Sequence, residues 1–452
     1  MLAFATLQRT GPPAERPSAG AYMGGGGGGV LAPARLAPAL GLSEVKAVRE
    51  VKVATLWAGY GSISEVTVTA GGKDRDGTLT PPPPLILKRV SPPRGGAGVS
   101  HERKVKSYHV EAAFYNECAP ALISAGLHVP TPFAIAVSDG GGGGGQLEFL
   151  LSDLRASHPR RFYRGGFEDS VAALTLLAGM HARYWEAPLP GGVWEEGSYW
   201  RLDTRLEELA ATAATGDVRV VRSARALDLR LRGITGRGGA ACEAGTSGRP
   251  DGAGKMGTAA GEAGKAGGAA GGAGKSAGRR MARRTLIHGD PKGDNLLLSE
   301  PNIGGNGPSG ITAAAYDLQY CGGGLGVRDV AYFLASSVDA KVLGTREAEL
   351  VAAYHAALMA GLAVRGIHRG TGTIEGVGGG ASGVYPLEEL RDDLDVAVTD
   401  YARFMAGWGF WGNAAWAAAA ATRCLDRIDG GQILASEEEY IDAIARAYPF
   451  PE

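Results

Sequence analysis

The densest set of chemically capable side chains in this 452-residue chain lies in eight consecutive residues, His288-Gly289-Asp290-Pro291-Lys292-Gly293-Asp294-Asn295. Leu286-Ile287 precede them and Leu296-Leu297-Leu298 follow, so the segment reads as a polar loop held between apolar runs. The pattern H-x-D-x-x-x-x-N suits phosphoryl transfer. That reaction needs a carboxylate to accept the proton of an attacking hydroxyl and, five residues on, a side-chain oxygen for Mg²⁺. Asp290 and Asn295 have this spacing, and Lys292 is placed to neutralise charge developing on the transferred group. Downstream, Ala314-Ala315-Tyr316-Asp317-Leu318-Gln319 sets an acid after a short apolar run, which makes Asp317 the second candidate metal ligand. Either motif alone also describes an acidic turn between strands; their order and spacing together favour the phosphoryl-transfer reading.

Upstream come residues that could hold a nucleotide. Gly59-Tyr60-Gly61-Ser62-Ile63-Ser64 gives G-x-G-x-x-S between two predicted strands. Gly59, Gly61 and Ser62 are the candidate phosphate contacts, although a plain hairpin turn accounts for the same residues equally well. Leu85-Ile86-Leu87-Lys88 matches a strand ending in a phosphate-pairing lysine; an exposed strand-end lysine is the alternative. Arg89, one residue later, faces the opposite side of that strand. In the helical stretch Ser107–Tyr115, Glu111 is central and is preferred over Glu102 and Glu117 as the partner of Lys88.

These groups need a scaffold, and the hydrophobic periodicity changes along the chain. Strands are predicted at Val51–Trp57, Ser64–Thr69, Leu85–Val90, Ala134–Val137 and Leu147–Leu151, with a helix over Glu102–Ala125. Beyond Asp153 the pattern is helical at 168–187, 200–214, 327–338, 346–362, 386–406 and 436–447. This predicts an α+β, bilobal fold, with a sheet lobe over 46–151 and a helical lobe over 152–232 and 285–450. Residues 1–45 read as a disordered leader. Residues 233–284, where Ala-Gly-Lys recurs every ten residues, read as a low-complexity disordered insertion on a surface connection. Within it Gly274-Lys275-Ser276 imitates the end of a Walker A loop, but Ala269 stands where the first glycine belongs.

Composition narrows the functional classes. Lys+Arg 46 against Asp+Glu 47 gives a net charge of −1, which calls for no nucleic-acid partner. Cys118, Cys242, Cys321 and Cys424 form no C-x-x-C pair, which suits a reducing, cytoplasmic compartment. The apolar stretch Met405 to Ala421 is broken by Gly407, Gly409, Gly412 and Asn413 and is too short to span a bilayer. The leader has Arg9, Arg16 and Arg35 against Glu15 alone, a faint transit-peptide pattern. Tyr401, Phe404 and Trp408 share a helical face, and they either line an acceptor pocket or pack the helical core.

Taken together, Ser107–Tyr115, Leu150-Leu151-Ser152-Asp153-Leu154, His288–Asn295, Asp317-Leu318-Gln319 and Gly326–Leu334 resemble the choline kinase, aminoglycoside phosphotransferase and ecdysteroid-kinase-like group, the CHK-like kinases. The resemblance covers about 46–231 and 285–450. It implies a protein-kinase-like fold with an antiparallel-sheet N-lobe, ATP and Mg²⁺ as cofactors, and a small-molecule alcohol as acceptor. It assigns Asp329 to bracing the catalytic loop, where a helix N-cap is the simpler reading. Ser64 in the glycine loop and the 233–284 insertion depart from the pattern. So short a segment between Asp317 and Arg328-Asp329 leaves no room for a peptide-docking activation segment, which disfavours a protein kinase. A pseudokinase scaffold is the other alternative; it would be expected to lose Lys88, Asp290 or Asp317, and all three are present.

Overall fold

The computed structural model describes residues 29–71, 82–138 except 94 and 97, 145–234 except 215, 283–302, 310–367 and 384–449. Most of the leader, the Gly140 run, the Walker-like Gly274-Lys275-Ser276 and nearly all of the insertion lie outside them.

The N-lobe is a five-stranded antiparallel sheet: β1 Val45–Thr55, β2 Gly61–Ala70, β3 Leu85–Val90, β4 Pro132–Ser138 and β5 Gln146–Ser152, in the order β1-β2-β3-β5-β4. The β-branched and leucine-rich runs pair as their alternation requires, with Lys88 opposite Ile63 on one side and Phe149 on the other. One register point depends on a glycine. A Cβ on Gly61 would lie 1.9 Å from the Arg89 carbonyl oxygen, so only glycine lets β2 begin so close to β3.

Helix α2, Val99–Ala113, runs through a π-turn at Phe114–Cys118 into α3, Ala119–Ser124. Its apolar side, with Tyr108, Ala112, Phe114 and Tyr115, packs on Val90, Leu147 and Phe149 of the sheet. Burying each such side chain stabilises by about 1.5–3 kcal/mol, enough to fix the helix and with it Glu111.

The chain start corrects the leader reading. Residues 33–39 form a short helix, and Val30 and Leu36 are buried against Val66, Leu85 and Leu150. Two apolar side chains docking on the free face of the sheet are what the Gly- and Pro-rich composition concealed.

The C-lobe is helical. Helix α4, Phe167–Arg183, is followed by α5, Leu206–Ala214, and α6, Val218–Leu231. Among the described residues five further helices follow: α7 Val327–Ser337, α8 Ala340–Val364, α9 Leu387–Trp408, α10 Ala414–Asp429 and α11 Glu437–Ala447. Helix α8 is long and apolar enough to cross a membrane by length and composition; here it buries Leu350, Tyr354, Leu358 and Leu362 in the core of the lobe. Helices α6 and α10 are absent from the predicted set. Both carry an apolar face at helical spacing, Ala224, Leu227 and Leu231 in the first and Ala417, Ala421 and Cys424 in the second, so the signal for each was present in the chain.

The insertion is narrower than 233–284. Ile234, Arg283 and Arg284 are 7%, 6% and 5% exposed, and the Arg283 guanidinium pairs with Glu389 and Asp393. Glu389 and Asp393 on α9 take Arg283 into the fold, and Glu196, between α4 and α5, takes Arg284. Short strands β6 Arg160–Arg161, β7 Arg284–Ile287, β8 Leu296–Leu298, β9 Ala313–Ala315 and β10 Gly322–Leu325 frame the polar loop between the lobes.

Candidate active site

The loop 288–295 connects β7 to β8, so the apolar runs on both sides are short strands that pin its ends. Gly289 adopts φ +82°, and a Cβ there would lie 2.1 Å from the Tyr320 carbonyl oxygen; the turn before Asp290 therefore requires glycine. His288 is buried, with Nε2 3.1 Å from the Tyr316 carbonyl and Nδ1 3.3 Å from the Asp290 N–H. A carbonyl at one nitrogen and a donor at the other specify the neutral ring protonated at Nε2, and burial lowers its pKa accordingly.

Asp329 holds the same loop from below. Its carboxylate accepts from the backbone N–H of His288 at 2.7 Å and of Gly289 at 2.9 Å, and pairs with His181 Nε2 at 3.1 Å. The Tyr354 hydroxyl lies 2.8 Å from the other nitrogen of His181. Asp329 is the third residue of α7 and caps nothing, because the cap position is Gly326. The N-cap reading fails on this geometry, and the loop-bracing contact is present.

The loop brings Asp290, Lys292 and Asn295 together. Lys292 Nζ donates to Asp290 Oδ2 at 2.7 Å, and the Asn295 amide nitrogen donates to the same oxygen at 3.1 Å. Oδ1 of Asp290 is buried with no hydrogen-bond partner in the described structure. Burial acts to lower the Lys292 pKa, but the Asp290 charge prevails and raises it. A cleft of about 200 Å³ opens beside Lys292 and is bordered by Tyr163, Asp294, Ser336 and Trp411.

Across the lobes, Lys88 Nζ donates to Glu111 at 2.7 Å and to Asp317 at 3.1 Å. One ammonium thus joins the sheet, helix α2 and the segment after β9. Glu102 and Glu117 are exposed and take no part, and Arg89 bridges Glu50 and Glu148 away from the site. Burial pushes the Glu111 carboxyl up to about 7 against the pull of Lys88. Burial acts on Asp317 in the same direction, but Lys88, Lys104 and Lys292 overcome it and hold this carboxyl below the usual range. Asp317 also sits at φ +63°, a left-handed conformation that costs an aspartate about 1 kcal/mol and recurs at functional sites.

Three contributors, Gln319, Lys104 and Ser107, received no role from the sequence. Gln319 donates to Asp317 through its amide nitrogen, and its Oε1 accepts from Lys104 and from Ser107, each at 3.0 Å. It ties the Asp317 carboxylate to helix α2. Ser107 and Lys104, one and two helical turns before Glu111, were the available signal.

Gly59 lies in the turn joining β1 to β2, where Ala58 and Gly59 both have positive φ. Gly61 and Ser62 are already in β2, opposite Val90 and Arg89. Buried Tyr60 anchors the turn to α2, its hydroxyl 2.6 Å from His101 Nδ1. At the other end of the site Tyr401 and Phe404 are buried with Trp200 and Tyr332, while Trp408 remains 39% exposed. The face expected either to line a pocket or to pack the core is therefore divided, with Tyr401 and Phe404 in the core and Trp408 at the surface. Asp290 borders this cluster: burial first, and then its negative charge, raises the pKa of the Tyr332 and Tyr401 phenols.

Among known proteins, residues 277–366 match the ecdysteroid kinase-like family. No curated protein matches the sequence. Solved structures that align with the chain include a microcompartment-associated aminopropanol kinase, at 13% identity over 85% of this chain and 94% of that one, with a TM-score of 0.42. A choline/ethanolamine kinase family protein from Mesorhizobium loti aligns at 13% identity over 84% and 89%, with a TM-score of 0.34. Choline kinase LicA from Streptococcus pneumoniae aligns at 11% identity over 85% and 94%, with a TM-score of 0.31. The matched segment, 277–366, carries the polar loop, Asp317 and Asp329, and is similar to the ecdysteroid kinase-like family.

Proposed function

We propose that the protein transfers the γ-phosphate of ATP to the hydroxyl group of a small molecule. The observation that carries this reading is the position of Lys88, bound at once to Glu111 and Asp317 across the lobe junction. Such a lysine is held where it can pair with nucleotide phosphates.

The oxygen groups suit Mg²⁺, which is commonly held by one or two protein ligands together with phosphates and water. Asp317 stays ionised and about one-third exposed (34%). Asn295 spends its amide nitrogen on Asp290, which leaves the amide oxygen for a cation. Among the described residues no cluster of three or more His, Cys, Asp or Glu could hold a metal without such help. Bound there, the ion would neutralise charge on the phosphates. Gly59, Gly61 and Ser62 would offer the turn between β1 and β2 to the nucleotide.

Asp290 has one oxygen held by Lys292 and Asn295 and the other free. The free oxygen is available to orient an acceptor hydroxyl and take its proton as the oxygen attacks phosphorus. Lys292 lies within reach of the group in transit and offsets its charge. Rate contributions from a positioned base are about 10²–10⁴-fold. Asp290→Asn should therefore lower Mg·ATP-dependent phosphorylation of an alcohol panel by at least about a hundredfold while an ATP analogue still raises the melting temperature. Undiminished transfer by that variant would remove Asp290 from the mechanism; nucleotide binding with no transfer by the native chain would favour a scaffold.

A further inference from the structure

The aromatic side chains next to Asp290 form a box that already contains a cation. Tyr199, Phe404 and Trp408 meet edge to face or tilted, with ring centroids 5.6–6.3 Å apart. The Arg205 guanidinium lies 3.9 Å from the centroid of Tyr199 and 5.4 Å from those of Phe404 and Trp408. It is fixed there: Nε donates to the Tyr199 carbonyl at 2.8 Å and Nη1 to Glu208 at 3.2 Å, and the side chain is 2% exposed. Gly407 lets the backbone of α5 reach α9, since a Cβ at that position would lie 1.9 Å from the Glu208 carbonyl oxygen.

The box adjoins the reacting end of the site. Tyr199 N–H donates to the Gly289 carbonyl at 2.8 Å, one residue before Asp290. The Tyr199 ring meets Tyr320 edge to face at 5.0 Å, and the Tyr320 phenol, its pKa raised chiefly by burial, faces the charges of Arg205, Asp290 and Arg103. Arg103 adds a second cation to this wall by donating to the Thr204 carbonyl at 2.6 Å. Of the nearby acids, Glu208 pairs with Arg205, and Asp290 gives one of its two oxygens to Lys292.

An aromatic box attracts an ammonium group through the faces of its rings. Here those faces are engaged by a cation of the chain itself, and an ammonium entering the box would meet a like charge in surroundings that screen it poorly. We propose that Arg205 sets the charge of the acceptor: it occupies the aromatic box beside Asp290, so the site takes an alcohol whose non-reacting part carries no ammonium group and lies against the rings as an apolar or flat face. This rests on the phosphotransferase reading, and it makes Arg205 a specificity-determining residue.

Choline and dimethylbutanol, its isostere with carbon in place of the ammonium nitrogen, isolate the charge. Binding of each is measured by calorimetry on the full chain with Mg²⁺ and a non-hydrolysable ATP analogue, so the result does not depend on turnover. The native protein should bind dimethylbutanol about tenfold or more tightly than choline. Arg205→Met should narrow or invert that ratio. Arg205→Lys, which keeps the charge, should preserve the native order and covers the case in which the methionine variant does not fold. Choline binding as tightly as its isostere to the native chain would overturn the proposal, as would an unchanged ratio in folded Arg205→Met. Failure of both alcohols to bind native and variant proteins would overturn the box as an acceptor site. Loss of phosphotransfer with the binding order intact would instead count against the kinase reading alone.

Discussion

The two ends of the site are built from different materials. The proposed nucleotide end consists of charged side chains, Lys88, Glu111 and Asp317, each fixed by a partner within 3.1 Å. The proposed acceptor end is a wall of rings from segments near 199, 320, 332 and 401–408, with Arg205 inserted among them. Charges at fixed spacing treat every Mg·ATP alike, so the first end has nothing with which to select an acceptor. Alcohols differ in shape and in the faces they present to rings, so in the proposed reaction selection would fall to the second.

The comparison can be broken most forcefully at Asp317. Asp317→Ala removes the ionised oxygens facing Lys88 and should abolish the gain in nucleotide affinity on adding Mg²⁺, a loss of about tenfold or more. Dimethylbutanol binding should stay within about twofold of native. Calorimetry with and without metal reads both, and a variant that keeps the metal-dependent gain would place the ion elsewhere.

Trp408→Ala probes the other end. Trp408 is half-exposed and contributes one wall of the box, so its loss should raise the acceptor KM by about three- to tenfold and leave the KM for ATP nearly unchanged. Equal rises in both would erase the division between the two ends. A folded variant with neither KM altered would move acceptor selection off this wall.

The smallest effect concerns pH. With its pKa raised to about 7, Glu111 is neutral below that pH and ionised above it. Its charge on Lys88 is therefore present at high pH and lost as pH falls through about 7. Asp317, held below the usual range, keeps its charge throughout. The ATP-limited kcat/KM should fall by a few-fold on acidification across pH 7, and Glu111→Gln should flatten that step. A step that persists in the glutamine variant belongs to another group.

What could be read from the chain in advance follows the range of each interaction. Asp290, Lys292 and Asn295 sit within six residues on one loop, so their spacing nearly fixes their meeting, and Lys88 announced itself at the end of an apolar strand. Even so, choosing Glu111 over Glu102 and Glu117 needed only a helix face, whereas the two acids contacting Lys88 are 23 and 229 residues from it. Asp329 illustrates the limit: read locally it is a helix cap, yet its carboxylate is taken up by backbone donors some 40 residues earlier.

The sequence by itself determined the α+β, two-lobed architecture, the order of the phosphoryl-transfer groups and the identity of the polar loop, because motif spacing and hydrophobic period are local properties of the chain. Tertiary structure alone decided that residues 29–45 dock on the sheet and that Gln319 ties Asp317 to α2. It alone set Asp317 in a left-handed turn and closed the aromatic box with Arg205. Those outcomes depend on which faces of separate elements come within contact distance, where short-range packing and weakly screened charge act on residues that the sequence keeps far apart.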